Sequence, residues 1–248
     1  VWVASVLVWL LVLTATPITI WVFGYEYFGL VASLGVLAQF AATVLALHSR
    51  WSVGKIVLVV GVVAVLTWLA EFIGHQTGLP FGHYTYTAIL QPQVGGVPII
   101  IPLAWMMMLG PAWAVTDSLF EGRTRPALSF ALVAALAITA WDFYLDPQMV
   151  SKGLWVWAEP GGYFGIPWVN YGGWVLTAGV ITWVLAPRDL PRTQLMIIYT
   201  LTWVFQAVGL GVLWQQPGPA LVGFMTMGVF SVWAWRKEYG RWLRSSSS

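Results

Sequence analysis

Apolar residues run through this chain in blocks of about twenty, and the polar residues collect between the blocks. The blocks predict helices over residues 2–23, 28–48, 54–75, 98–118, 127–146, 168–186, 194–213 and 218–236, each near the ~20 residues a helix needs to cross a bilayer. Most connections between them are short. The segment "QQPGP" between the last two blocks predicts a tight helical hairpin. Two connections are long, 76–97 and 147–167, and both are crowded with aromatic residues, glycine and proline.

Composition agrees with the pattern. Of 248 residues, 59% are hydrophobic and 8% charged, whereas a soluble domain carries roughly a quarter charged residues. The chain therefore reads as one polytopic membrane domain over 1–244, followed by a serine tail at 245–248. The first block lacks a basic flank and a clear small-residue cleavage motif, so it is counted as a span.

The basic residues sort by side. Arg50 and Lys55 flank the second connection, Arg123 and Arg125 the fourth, Arg188 and Arg192 the sixth, and Arg236, Lys237, Arg241 and Arg244 follow the last block. With eight spans, these ten of the eleven Lys and Arg residues share one face, and Lys152 is left on the other. The positive-inside rule assigns the rich face, and with it both termini, to the cytoplasm. Both long connections then fall on the outer face. Irregular backbone survives at membrane depth only when buried in protein or lining a wet cavity, so these apolar loops are expected to fold back as a cap. The expected fold is an all-α integral membrane bundle of about eight transmembrane helices with two long aromatic loops over its outer face.

Several chemistries drop out. Without cysteine there is no disulfide framework, thiolate metal site or thiol nucleophile. Three histidines, with His48 at the basic end, cannot build a histidine-rich di-iron site, which argues against an oxygen-using membrane hydroxylase or desaturase. The thinly spread basic residues do not form a nucleic-acid surface. A retinal pump needs a lysine deep in a span, but Lys55, Lys152 and Lys237 lie at span ends or in loops. A transporter stays open, although the spans lack mid-membrane charges along a polar path and show no convincing inverted repeat.

The outer-end acids stand out against this background. Glu71 lies about one turn from the end of the third span, and Asp142 and Asp146 lie in the last turns of the fifth. Spacing of four puts the two aspartates on one helix side, if the helix continues up to Pro147. Such a pair repels, which favours sharing one proton. The plainer alternative is that the acids face water or Lys152 at helix ends. Glu71 and His75 are also four apart, and His83 follows in the loop; both histidines are candidates for hydrogen bonding or proton shuttling.

The outer aromatics include Phe81, Tyr84, Tyr86, Trp105, Trp141, Phe143, Tyr144, Trp155, Trp157, Tyr163, Phe164, Trp168, Tyr171 and Trp174, with Asn170 among them. An interfacial belt explains some of these, but not their interleaving with Gly and Pro in "GLPFGHYTY" and "GGYFGIPWVNYGGW". Aromatic walls suit a long flat apolar molecule, and their faces stabilise cations. A carboxylic acid beside them can protonate an unactivated alkene to a tertiary carbocation. Water capture gives hydration, and capture by a neighbouring double bond gives cyclisation.

The segments "EFIGHQTGLPFGHYTYT" (71–87), "GVPIIIPLAWMMM" (96–108), "AWDFYLDPQMVSKGLWVW" (140–157) and "GGYFGIPWVNYGGW" (161–174) resemble the CruF-like membrane carotenoid hydratases, a group that includes bisanhydrobacterioruberin and γ-carotene hydratases. The resemblance covers roughly Glu71 to Trp174, several motifs in one order. It implies addition of water to the terminal isopropylidene double bond of an acyclic carotenoid, without metal or redox cofactor. It also implies a carotenoid substrate, membrane lipid around it, and other carotenoid-biosynthesis enzymes as partners. Chemistry then assigns Asp142 as first choice for proton donor and Glu71 as second, with Asp146 tuning the pair. His75, His83, Tyr84 or Asn170 would position water, and Trp141, Tyr144, Trp155, Trp168 and Tyr171 would line the pocket, with Trp105 beside them. An integral-membrane lycopene-type cyclase and a non-catalytic carotenoid-binding protein remain the alternatives.

Overall fold

In the computed structural model, residues 1–246 are described; the expected serine tail falls at this boundary, and Ser247 and Ser248 lie outside the described residues. Among the described residues eight α-helices form the bundle: α1 (Trp2–Phe23), α2 (Phe28–Leu47), α3 (Val53–Thr77), α4 (Ile100–Leu119), α5 (Ala127–Ser151), α6 (Trp168–Leu185), α7 (Arg192–Val208) and α8 (Pro217–Ser246). Seven are long and apolar enough to cross a membrane; the exception is α6, with 18 residues. Its opening "WVNYGGW" lowers its hydropathy, and it packs chiefly along α5. The mostly buried α4 is central, touching α2, α3, α5, α7 and α8, whereas α1 leans on α2.

Proline and glycine mark helix boundaries. Pro126, Pro167 and Pro191 immediately precede α5, α6 and α7, and Pro217 opens α8, positions where a missing N–H costs no helical bond. At the end of α3, Gly78 adopts a left-handed conformation with φ 78° and closes the helix through a bond to the Gly74 carbonyl.

Pro17 of α1, Pro111 of α4 and Pro147 of α5 lie inside helices, and each frees the carbonyl four residues earlier. Pro111 in α4 frees that of Met107, which accepts from the Thr43 hydroxyl at 3.0 Å. Pro147 in α5 frees that of Phe143, which accepts from the Tyr163 hydroxyl at 3.0 Å. This last substitution corrects the sequence reading: α5 does not end at 146 but continues to Ser151.

The even-numbered connections and the tail meet at one end. The Trp51 indole donates to the carbonyls of Arg188 and Asp189, both at 2.9 Å. Arg125 pairs with Asp117 at 2.8 Å, and Arg192 pairs with Asp117 and Glu121. Ser118 reaches Glu238 on α8. At the other end, β1 (Tyr84–Tyr86) pairs antiparallel with β4 (Trp155–Trp157), joining the two long connections into one cap. A hairpin of β2 (Gln93–Val94) and β3 (Val97–Pro98) turns through Gly95 and Gly96, both at positive φ, which suits this two-residue turn.

Candidate active site

Beneath the cap, α5 turns Asp142 and Asp146 toward α6, which returns Asn170. The Asn170 amide donates to Asp142 Oδ2 at 2.9 Å and also to Asp146 Oδ2. Asp146 Oδ1 accepts from the Trp155 indole at 3.0 Å. The two carboxyl groups are thus held by a single amide. All three polar side chains are buried, Asp142 at 0% exposure.

Glu71 enters from α3. Its Oε2 accepts from the Tyr84 and Tyr86 hydroxyls, the latter at 2.9 Å, and its Oε1 accepts from the Trp105 indole at 3.1 Å. Both tyrosines can reach it because alternate residues of a strand face the same way. Burial, reinforced by the Glu71 carboxylate, pushes the Tyr84 and Tyr86 phenols well above their ordinary value, so both remain donors. Around this cluster Trp105 stacks on Trp174 at 4.0 Å, and Trp174 meets Trp141 edge-on at 5.9 Å.

Two cavities adjoin here. The smaller, about 40 Å³, is lined by Glu71, Tyr84, Tyr86, Asp146, Asn170 and several aromatic rings. The larger, about 350 Å³, is mostly apolar and extends among α1, α2, α4, α5 and α7. Ile101, Ala104, Leu145 and Trp155 line both. Helix α5 divides them: Asp146 faces the small chamber, Trp141, Gln148 and Met149 the large one, and Leu145 both.

Several expected site residues converge on this pair of cavities. Glu71, Asp146, Asn170, Tyr84, Trp105 and Trp155 line the small chamber, and Trp141 lines the large one. Asp142 does not line the small chamber; it stands behind Asn170. Tyr144 is turned away, its hydroxyl donating to the Trp203 carbonyl of α7 at 3.1 Å and its ring close to Gly223 of α8. Trp168 is 61% exposed, and Tyr171 stacks on Phe143; neither lines either of these two cavities.

The histidines are also outside both linings. His75 is half-buried near the Tyr84 carbonyl and Gly96, and His83 is exposed beside Gly78. Lys152 does not answer the acids: its ammonium sits 3.2 Å from the Tyr25 hydroxyl and over the Tyr25 and Trp214 rings. Among the described residues, no three His, Asp or Glu side chains are grouped to hold a metal ion.

Phe81, Tyr86, Trp157 and Trp174, counted from sequence among the outer aromatics but given no site role, also line the small chamber. Tyr86 carried a signal, the two-residue spacing from Tyr84. The walls contributed by α1, α2 and α7 carried none, because their residues are ordinary for membrane helices.

The fold and site thus define a multi-pass helical membrane protein with buried acids under an aromatic cap. Its sequence matches the profile of the carotenoid biosynthesis protein family over residues 27–230, and the chain belongs to that family. It is 32% identical over 111 residues to the bisanhydrobacterioruberin hydratase of Haloarcula japonica, a match covering 44% of this chain and 38% of that relative. No solved structure matches the chain.

Proposed function

We propose that this protein is a carotenoid hydratase, adding water to the terminal isopropylidene double bond of an acyclic carotenoid. The observation that carries the reading is the junction of an acid-lined chamber with a long apolar cavity through Leu145 and Trp155. A chamber of about 40 Å³ holds a water or a few, since one needs roughly 10–15 Å³ on the same measure. The larger cavity is in the range of small-molecule sites, roughly 300–1,000 Å³. Polar space for water beside apolar space for a polyene end is what hydration needs, and it favours hydration over cyclisation, which must keep water from the cation.

The reaction proceeds in two bond-forming steps. A proton from the Asp142–Asp146 pair, delivered by Asp146, adds to the CH carbon of the (CH₃)₂C=CH group, and the π electrons form the new C–H bond. The tertiary cation lies among Trp155, Trp105 and Trp174, whose faces stabilise it. Water in the chamber gives its lone pair to the tertiary carbon, and its extra proton passes to Glu71. Three donors fix Glu71 as an acceptor beside that water. Proton exchange between the acids through the chamber restores the starting state.

Asp142, the first choice from sequence, becomes a positioning residue behind Asn170. Neither histidine takes part. The chain works with both termini and the basic end in the cytoplasm, and with the cap outward. It draws substrate from lipid and hands product to other carotenoid-biosynthesis enzymes.

Expression in cells that make an acyclic carotenoid tests the reading. The product is expected one water heavier per reacted end. Unchanged mass with a new ring would establish the cyclase, and unchanged carotenoid a binding protein.

A further inference from the structure

Within the reading of the large cavity as the polyene site, the cavity is too short for its ligand. Along α2 its lining runs from Phe28 to Gln39, about 16 Å at 1.5 Å per residue. The inner end is stopped by Trp9, 1% exposed, and by Gln39, whose amide is held by Met108 Sδ at 3.0 Å and Thr202 at 3.2 Å. A carotenoid long enough to span the ~30 Å hydrocarbon core cannot lie wholly inside. The remainder of the chain needs an opening.

Helices α1 and α7 supply one. Thr14, Thr16 and Pro17 of α1 and Gln206, Val208 and Leu213 at the end of α7 line the same cavity. Yet α1 packs on α2 and the turn after it, while α7 packs chiefly on α4 and α8. Thr14 and Val208 are exposed while lining the cavity, so its wall opens toward the side of the bundle where lipid would lie.

Both edges are irregular helix. Pro17 interrupts the hydrogen-bond ladder of α1, and α7 widens into a π-turn over Gly209–Leu213. The hydroxyls of Thr14 and Thr16 bond back to carbonyls of their own helix, which leaves this edge compatible with a hydrocarbon chain.

We infer that an acyclic carotenoid enters sideways from the lipid, end first, between the Pro17 region of α1 and the π-turn of α7, while the rest of the polyene stays in the membrane. One end is treated at a time, and a substrate with two reactive ends leaves and re-enters between hydrations.

The absence of native cysteine makes a clean test. One variant carries Thr14→Cys and Val208→Cys, joined by a reducible bifunctional thiol reagent. A second carries Thr85→Cys and Val156→Cys, which face one another in the β1–β4 pair and are exposed, joined by oxidation. Each is assayed on an acyclic carotenoid in lipid vesicles before cross-linking, after it, and after reduction.

Lateral access is expected to give at least a tenfold loss on cross-linking α1 to α7, full recovery on reduction, and no change on locking the cap. A two-ended substrate is expected to pass through a singly hydrated product that exchanges with added unlabelled substrate. Unchanged turnover in the α1–α7 cross-link, or loss with the cap lock alone, overturns the inference. If the un-cross-linked proteins and the wild type hydrate nothing, the proposed function fails instead.

Discussion

The Trp155 indole donates to Asp146 Oδ1 at 3.0 Å, joining a strand of the cap to an acid of α5. The same ring lines both cavities. Cap and acid are thereby set by one contact, and closing the loops over the bundle orients the proposed donor.

Trp155→Phe keeps an aromatic wall and deletes that donor. A hydrogen bond to the carboxylate that forms as Asp146 gives up its proton contributes about 1.5–3 kcal/mol, so turnover is expected to fall roughly tenfold to a hundredfold. Hydrated product per unit of folded protein is the measurement. Wild-type turnover would show that the bond does not orient Asp146 for the reaction.

Asn170 holds two carboxyl groups with one amide. In Asn170→Leu both are left short of a donor, at a cost of about 1–3 kcal/mol for a buried group left unsatisfied. Thermal unfolding in detergent is expected to shift down and hydration to be lost. An unshifted melt would mean that the carboxyls find other donors.

Gly35 lies on the wall of the large cavity, and a Cβ there would meet nothing within 4 Å. Gly35→Phe is expected to raise helix stability by a few tenths of a kcal/mol while reducing turnover at least tenfold by filling the polyene's space. Parallel melts and activity assays separate the two effects. Retained activity in a correctly folded variant would remove the cavity from the substrate path.

Tyr144 and Trp168, both expected at the pocket from sequence, serve as contrasts. Tyr144→Phe loses its bond to the Trp203 carbonyl and is expected to cost about 1 kcal/mol of stability with turnover near wild type. Trp168→Ala, on an exposed face, is expected to lower turnover by less than about twofold. A large activity loss in either, at preserved stability, would place substrate on a different side of α5 or α6.

These contrasts show where sequence reading stopped. Lipid as solvent demands long apolar blocks with charge between them, so the helices, the basic end and the rarity of Glu71, Asp142 and Asp146 were legible. The facing of a residue within a block was not. A membrane helix is apolar nearly all round, so its period does not separate lipid side from packed side; Tyr144 and Trp174 look alike in the sequence and point to different neighbours. Pro147 was read as a stop, because the Tyr163 hydroxyl that donates to the freed Phe143 carbonyl lies on another segment. The large cavity was invisible for a similar reason: its walls come from five helices brought together by packing.

The central claim is that Asp146 and Glu71 add solvent water across the alkene. The most direct measurement is mass spectrometry of the carotenoid formed in deuterated, heavy-oxygen water by the wild type, Asp146→Asn and Glu71→Gln. The wild type is expected to place one solvent oxygen on the tertiary carbon and one carbon-bound deuterium beside it for every reacted end, and each variant to form at least a hundredfold less. Product lacking solvent oxygen, or wild-type yields from both variants, would contradict the account.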